Sequence, residues 1–257
     1  MAQLGLGLIC IGKPWGYADA AVPPESQARE LLERAVELGV RFFDTAPSYG
    51  VSEERLGRFL ATLTPAVRAK LTIATKFGEH WDAARQEPYV DHSFEALRRS
   101  LDGTVARIGV PDVLELHKTS PAVLRSEGLA RAWEYARSLG VRAIGASVSD
   151  AESAELVIAD AACTVMQAPF NCENRAFEEA VARAGARGML VLANRPFGMG
   201  KMLHESGVSK TEAFRFVVAR LPQGVILSGT KSVAHLDENW RAFQEVTSAA
   251  PAEGRHA

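Results

Sequence analysis

Short apolar runs of strand length alternate with segments of helical periodicity along nearly the whole chain. This alternation predicts repeated strand–helix units, which form a parallel sheet covered by helices. The predicted strands are residues 6–9, 40–43, 71–75, 113–116, 143–146, 163–167, 190–193 and 224–227. The predicted helices are residues 25–38, 53–60, 93–108, 128–139, 151–158, 176–187, 210–220 and 233–245. Eight such units in a chain of 257 residues indicate an α/β fold of the (β/α)8 TIM barrel type.

A doubly wound sheet is the competing architecture for this alternation. That fold binds a dinucleotide at a Gly-x-Gly-x-x-Gly turn after an early strand, and this sequence has no such turn there. Gly39 and Gly140 each stand between a predicted helix and the next strand, where a left-handed helix cap is expected. We predict one domain over residues 1–257, whose small and polar segment 247–257 forms a frayed tail.

The charge and cysteine content narrow the classes of function. The net charge is -2, with 29 Lys and Arg and 31 Asp and Glu spread along the chain, so we expect no nucleic-acid or membrane partner. No apolar run has the length needed to span a bilayer. The three cysteines, Cys10, Cys163 and Cys172, show no metal-ligand spacing, so we expect a reduced, cytoplasmic protein without a metal site.

Polar side chains that can carry chemistry stand at the ends of three consecutive predicted strands. Asp44 follows strand 40–43, and Tyr49 comes five residues later; Lys76 and His117 follow the next two strands. A barrel brings these strand ends to one rim. An ammonium next to a phenol stabilises the phenolate, so Lys76, held by Asp44, is expected to lower the pKa of Tyr49 from about 10. His117 is expected to orient an oxygen of the substrate or to assist proton transfer.

These residues belong to a series of short motifs that occur together in one family. The motifs are FDTAPSYG at 43–50, SEERLG at 52–57, IATK at 73–76, LH at 116–117, IGAS at 144–147, MQAPFN at 166–171, GTKS at 229–232 and EN at 238–239. The chain therefore resembles the aldo-keto reductase superfamily, (β/α)8 barrels that reduce carbonyl compounds with NADPH. The resemblance implies that Tyr49 is the general acid, that Asp44 and Lys76 tune it, and that His117 binds the carbonyl oxygen.

The loops after the last two predicted strands are candidates for phosphate binding, which is common at this place in barrel enzymes. Residues 195–201 and 228–232 each combine glycine with a lysine, and the second loop opens the last helix. From these loops we expect Phe197, Gly198 and Gly229 to contact the cofactor. The resemblance further assigns Thr230, Lys231 and Ser232 to the 2′-phosphate, Glu238 and Asn239 to the adenine, and Ser147 and Gln167 to the nicotinamide carboxamide.

The sequence departs from the family pattern at positions that bear on the cofactor. Val148 stands where an Asn usually follows the serine, and Asn194 stands where many members stack an aromatic ring on the nicotinamide. His235 replaces an Arg that pairs with the 2′-phosphate in many members. Imidazole is mostly neutral at about pH 7 and lacks the guanidinium fork, so we expect NADPH to be preferred modestly and NADH to be possible.

Trp15 and Trp81, in the loops after the first and third strands, are expected to wall an apolar substrate pocket, although packing of their own loops is an equal alternative. Only a short connection joins Lys201 to Lys210, and about a dozen residues follow 245, so an open pocket is expected. These features favour small aldehydes or ketones as substrates and a monomer or weak homo-oligomer.

Other functions remain open at this point. One is a cofactor-binding regulatory subunit of the same fold with vestigial turnover, which the missing aromatic ring would allow. Another is a metal-dependent barrel hydrolase, which requires His, Asp or Glu ligands at short spacing on strand ends; no His-x-His occurs in the sequence.

Overall fold

The computed structural model describes residues 1–16 and 21–248. Its strands are β1 (Gln3–Gly7), β2 (Phe42–Asp44), β3 (Thr72–Phe77), β4 (Glu79–Asp82), β5 (Glu87–Val90), β6 (Val113–Leu116), β7 (Ala143–Ser147), β8 (Val165–Pro169), β9 (Leu190–Asn194) and β10 (Val225–Gly229). Within these ranges, eight parallel strands close in the order β1-β10-β9-β8-β7-β6-β3-β2. The predicted (β/α)8 barrel is confirmed.

Helices lie between the strands of the barrel. They are α1 (Glu25–Leu38), α2 (Ser52–Leu60), α3 (Pro65–Arg68), α4 (Phe94–Ile108), α5 (Pro121–Leu124), α6 (Glu127–Ser138), α7 (Ala151–Ala159), α8 (Glu178–Ala186), α9 (Lys201–Glu205), α10 (Lys210–Arg220) and α11 (Val233–Ser248). Short 3-10 turns cover Ile9–Ile11 and Gly198–Gly200. Of the helices that the structure describes, none is both long and apolar enough to cross a membrane.

Helix α1 shows how the sequence produces these elements. Ala28, Leu31, Leu32 and Ala35 form a buried stripe with the i, i+3, i+4, i+7 spacing of one helix face. Gly39 then ends the helix in the left-handed region at φ 99°, where a side chain would clash with its own backbone, and the chain turns into β2. The predicted bounds of α1 are therefore confirmed, and those of α10 are confirmed as well.

Two ends of the chain differ from the prediction. The first strand is Gln3–Gly7 rather than 6–9, because Gln3 pairs with Val225 of β10 and the chain leaves the sheet after Gly7. Helix α11 continues through Ser248, so the first residues of the predicted tail are helical. The rest of that tail, residues 249–257, lies outside the described residues.

The side chains inside the barrel form an apolar layer below a polar one. Residues two apart on a strand point to the same side of a sheet. The lower layer is one hydrophobic cluster, which includes Phe42, Ala74, Val113, Val165, Leu192 and Val225. Two residues further along the same strands are Asp44, Lys76, Glu115, Gln167, Asn194 and Leu227. The polar groups among them therefore meet at the carboxyl ends of the strands, where barrel enzymes place their active sites.

The connection after β3 contains an antiparallel hairpin that the sequence reading treated as loop. In this hairpin β4 pairs with β5, with Glu79 opposite Val90 and Trp81 opposite Pro88. Tyr89 and Val90 are exposed, so β5 buries no apolar face and lacks the alternation that marks a strand.

Candidate active site

The predicted aspartate and lysine form a buried ion pair in the polar layer. Lys76 Nζ donates to Asp44 Oδ1 at 2.6 Å and to the carbonyl oxygen of Thr45 at 3.0 Å. Their side chains are only 1% and 6% exposed, which protects the pair from solvent screening. Burial alone would lower the pKa of Lys76, but the neighbouring Asp44, Tyr49 and Glu115 raise it above its usual value. Lys76 therefore stays protonated at neutral pH.

Tyr49 lies beside this pair, in the turn after β2. Its ring centroid is 5.3 Å from Lys76 Nζ and 6.0 Å from the His117 ring. The structure thus brings together all four residues predicted from the strand ends. Among residues 1–16 and 21–248, no side chain hydrogen-bonds to the Tyr49 hydroxyl, so Lys76 acts on the phenol through its charge.

The expected direction of the Tyr49 pKa shift is wrong. Burial of the phenol raises its pKa to about 12, Lys76 opposes this rise, and the carboxylates of Asp44, Glu115 and Glu79 add to it. Desolvation of the phenolate therefore outweighs the ammonium. Tyr49 therefore stays protonated at neutral pH.

A carboxylate that sequence reasoning missed lies beside His117. Its Nδ1 lies 3.0 Å from Glu79 Oε2 and 3.4 Å from Ser48 Oγ. Burial lowers the pKa of His117 well below its ordinary value, and the cations Lys76 and Lys118 lower it further. His117 is therefore a neutral ring at neutral pH. Glu79 begins the hairpin, and no local pattern pointed to it.

Glu115 is a second buried acid that the sequence analysis did not assign. It is the register partner of Lys76 on β6 and is fully buried. Burial raises the pKa of its carboxyl, Lys76 opposes that rise, and Asp44 adds to it. One signal was available: Glu115 is a single charge inside an apolar strand, two residues before His117.

Gln167 connects the ion pair to β7 and β9. Its Nε2 donates to Asp44 Oδ1 and to Glu115 Oε1, each at 3.1 Å. Its Oε1 accepts from Asn194 Nδ2 at 2.9 Å and from Ser147 Oγ at 3.4 Å. Asn194, where the resemblance led us to expect an aromatic residue, thus orients Gln167 in this structure.

One cavity of about 540 Å³ opens above the polar layer. It is lined by Asp44, Tyr49 and His117, and also by most of the residues predicted to hold a cofactor. Those residues are Ser147, Gln167, Phe197, Gly229, Thr230, His235 and Asn239.

The other predicted cofactor residues do not line this cavity. Lys231 and Ser232 line a neighbouring one, where Lys231 Nζ donates to the carbonyl oxygen of Ala21 at 2.6 Å. Glu238 forms an exposed ion pair with Lys210 at 2.5 Å. Gly198 starts the 3-10 turn next to the cavity, at φ 55°.

The floor of the cavity beside β1 and β10 suits a flat or extended ligand. Gly7 and Gly229 are register partners at the ends of these strands and both line the cavity. A Cβ on Gly229 would lie 3.4 Å from Gly7 O and 3.7 Å from Cys10 Sγ. Because neither glycine carries a side chain, a dinucleotide can approach the backbone here. The residues present therefore fit a nicotinamide cofactor.

The predicted substrate residues lie on the hairpin side of the cavity. Trp15 lines the cavity directly. Trp81 is on β4 and does not line the cavity. Its ring centroid lies 5.8 Å from Nζ of Lys13, and Lys13 does line the cavity. Across the described ranges, no group of three or more His, Cys, Asp or Glu side chains is arranged to hold a metal ion.

A family model, curated relatives and solved structures that resemble this chain all come from one family. The sequence model of the Aldo/keto reductase family matches residues 3–212. An aldo-keto reductase of Gibberella moniliformis is 28% identical over 193 residues, which are 73% of this chain and 58% of that protein. A 6-dehydroglucose reductase of Novosphingobium aromaticivorans is 34% identical over 148 residues, or 52% of this chain and 45% of that protein. The chain thus matches about half the length of these curated relatives.

A solved structure resembles the fold over nearly its full length. The holo form of the aldo-keto reductase AKR11C1 from Bacillus halodurans superposes with a TM-score of 0.78 at 18% identity, covering 97% of this chain and 92% of that one. The family match extends over most of the barrel and includes the strand ends that carry Asp44, Tyr49, Lys76 and His117. This chain belongs to the aldo/keto reductase family.

Proposed function

We propose that this protein reduces small aldehydes or ketones to alcohols, with NADPH as the preferred cofactor. The observation that carries the proposal is that the same cavity is lined both by Tyr49 and His117 and by Gly229, Thr230 and His235. Such a cavity places a carbonyl compound beside the proton donor and a dinucleotide along the glycine floor.

Tyr49 is the proton donor in this proposal. As the carbonyl carbon accepts a hydride, its oxygen becomes an alkoxide, which is a stronger base than a phenolate. The Tyr49 O–H bond breaks, its proton bonds to that oxygen, and the alcohol leaves. The buried charge of Lys76 stabilises the phenolate that remains, and Asp44 holds Lys76 in place. Solvent then returns a proton to Tyr49.

His117 orients the carbonyl oxygen. Its lowered pKa keeps the ring neutral, so it acts by hydrogen bonding and not as a full charge. To donate to that oxygen, the neutral ring carries its proton on Nε2. Nδ1 is then the acceptor, and the Ser48 hydroxyl, 3.4 Å away, can donate to it.

A bound nicotinamide would supply the hydride, that is, two electrons and one proton, to the carbonyl carbon. Ser147 and Gln167 would hold its carboxamide, and Phe197, Gly198 and Gly229 would contact the rest of the cofactor. Thr230, Lys231, Ser232 and His235 would bind the 2′-phosphate, and Glu238 and Asn239 the adenine. Lys231 would have to exchange its bond to Ala21 O for the phosphate.

The experiment follows the absorbance of the reduced cofactor in the presence of aromatic and aliphatic aldehydes and ketones, with NADPH and NADH in parallel. Consumption of NADPH that requires both enzyme and carbonyl, with an equal amount of alcohol formed, supports the proposal. Tight NADPH binding without consumption across the panel would instead favour a regulatory subunit with the same fold.

A further inference from the structure

Lys13 brings a cation to the substrate end of the cavity. It follows the Ile9–Ile11 turn and is half-buried in the cavity lining. Its Nζ lies 5.7 Å from the ring centroid of Tyr49 and 5.8 Å from those of Trp15 and Trp81. Since Tyr49 donates the proton in the proposed reaction, the ammonium stands on the side of the cavity where the carbonyl group would react.

Within residues 1–16 and 21–248, no charged side chain pairs directly with Lys13. Glu79 is the acid nearby, and it already contacts His117 Nδ1 at 3.0 Å and Lys118 Nζ at 3.3 Å. Within the described residues, no carboxylate oxygen lies within 4.0 Å of Lys13 Nζ, and Lys118 adds a second positive charge to the same cavity. With His117 neutral, Lys13, Lys118 and Glu79 together carry one more positive than negative charge among the described residues here.

The aromatic rings do not fully account for this ammonium. Cation–π attraction requires the cation within about 6 Å of a ring centroid, so these rings lie near the outer limit. An ammonium has three N–H donors, and the face of an aromatic ring is a poor hydrogen-bond acceptor for them. Burial lowers the pKa of Lys13. The negative charge of Glu79 opposes this lowering, and the positive charge of Lys118 lowers the pKa further. An anion delivered to Lys13 would offset that cost of desolvation.

We propose that Lys13 binds a carboxylate carried by the substrate, so that short oxo acids are preferred over neutral carbonyl compounds. The inference rests on the proposed function and names the substrate class of that same site. Because Lys13 stands beside the Tyr49 ring, the carboxylate must lie only a few bonds from the carbonyl group. Trp15 and Trp81 would then cover the carbon chain between the two groups.

The test compares 4-oxobutanoate with its methyl ester, which has the same aldehyde and no charge. With saturating NADPH, we expect kcat/KM for the acid to exceed that for the ester by about tenfold or more. The reason is that a partly desolvated ion pair between Lys13 and the carboxylate is stronger than an exposed ion pair. In Lys13→Met, which keeps the length of the side chain, the ratio should fall to about one, and in Lys13→Arg it should be largely retained. Lys70→Met, at an exposed lysine before β3, should keep the wild-type ratio.

A binding measurement decides the point without turnover. Benzoate and benzyl alcohol are titrated into the enzyme with NADP⁺ present, and quenching of tryptophan fluorescence is followed. Benzoate affinity should fall at least about fivefold in Lys13→Met and should weaken with added salt, whereas that of benzyl alcohol should not.

Two results would overturn the assignment of Lys13: an equal acid-to-ester ratio in wild type and Lys13→Met, or equal benzoate affinity in both. If the wild type reduces no carbonyl compound at all, the proposed function fails, and the benzoate titration still decides whether Lys13 binds a carboxylate.

Discussion

Lys76 and Asp44 form an ion pair of 2.6 Å inside the barrel, and both side chains are almost fully buried. Gln167 also donates to Asp44 and extends the contact to Glu115. The pair therefore has a structural role in addition to its proposed role beside Tyr49. Buried charges are stable only when each has its partner.

Removal of one partner is expected to destabilise the protein strongly. Lys76→Met leaves Asp44 without its cation, and Asp44→Asn leaves Lys76 without its anion. Each should lower the free energy of unfolding by about 3–5 kcal/mol, measured by urea denaturation. The double variant should lose less than the sum of the two.

An exposed pair serves as the control for this cycle. Arg29 and Glu33 are 2.7 Å apart, but both side chains are largely exposed. Arg29→Ala should therefore cost less than about 1 kcal/mol. Single variants of Lys76 and Asp44 that unfold like the wild type would contradict the account of a buried, coupled pair.

Glu115 is expected to make stability depend on pH. Its pKa is raised in the folded protein by burial, whereas the unfolded chain ionises at the ordinary carboxyl value. The stability linked to this proton is fully present below the unfolded pKa and is lost as pH rises through the raised folded pKa. The side chain of Gln in Glu115→Gln cannot ionise. The difference in free energy of unfolding, variant minus wild type, should therefore increase as pH rises from about 5 to about 8.

Urea denaturation across this range measures the difference. Glu134→Gln, at an exposed glutamate, should follow the wild type at each pH. A constant difference between Glu115→Gln and the wild type would mean that Glu115 ionises at its ordinary value in the folded protein.

Much of the fold could be predicted because its signals are local. Helix α1 has a periodic stripe and a glycine cap within the same segment, and its bounds are correct. The first strand was predicted to begin three residues too late in the sequence because Gln3, Gly5 and Gly7 are not apolar residues typical of a strand. Its position is set by pairing with β10 and β2, which are distant in sequence.

The same distinction applies to the site. Asp44, Lys76 and His117 are polar residues at the ends of apolar runs, so topology alone brings them together. Glu115 lies within such a run, and only the register between β3 and β6 shows that it faces Lys76. Glu79 reaches His117 through a hairpin that has no sequence signal. The pKa of Tyr49 depends on burial, which no motif reports.

Lys231 is expected to set the choice between cofactors. An ammonium attracts the 2′-phosphate of NADPH, and NADH has no phosphate there. Lys231→Ala should raise KM for NADPH by about tenfold and change KM for NADH little, so that discrimination nearly disappears. Initial rates with each cofactor measure this.

Lys70→Ala provides the control, since Lys70 is exposed and does not line either cavity. Unchanged discrimination in Lys231→Ala would remove Lys231 from the phosphate site. His235, which lines the main cavity, would then be the next candidate.

The central claim is that Tyr49 donates the proton. The most direct measurement compares Tyr49→Phe with Tyr89→Phe, at an exposed tyrosine on β5, for carbonyl-dependent NADPH oxidation and for NADPH affinity by fluorescence. We predict that Tyr49→Phe lowers kcat/KM by about 10²- to 10⁴-fold with unchanged NADPH affinity, and that Tyr89→Phe resembles the wild type. Undiminished carbonyl reduction by Tyr49→Phe would contradict the account.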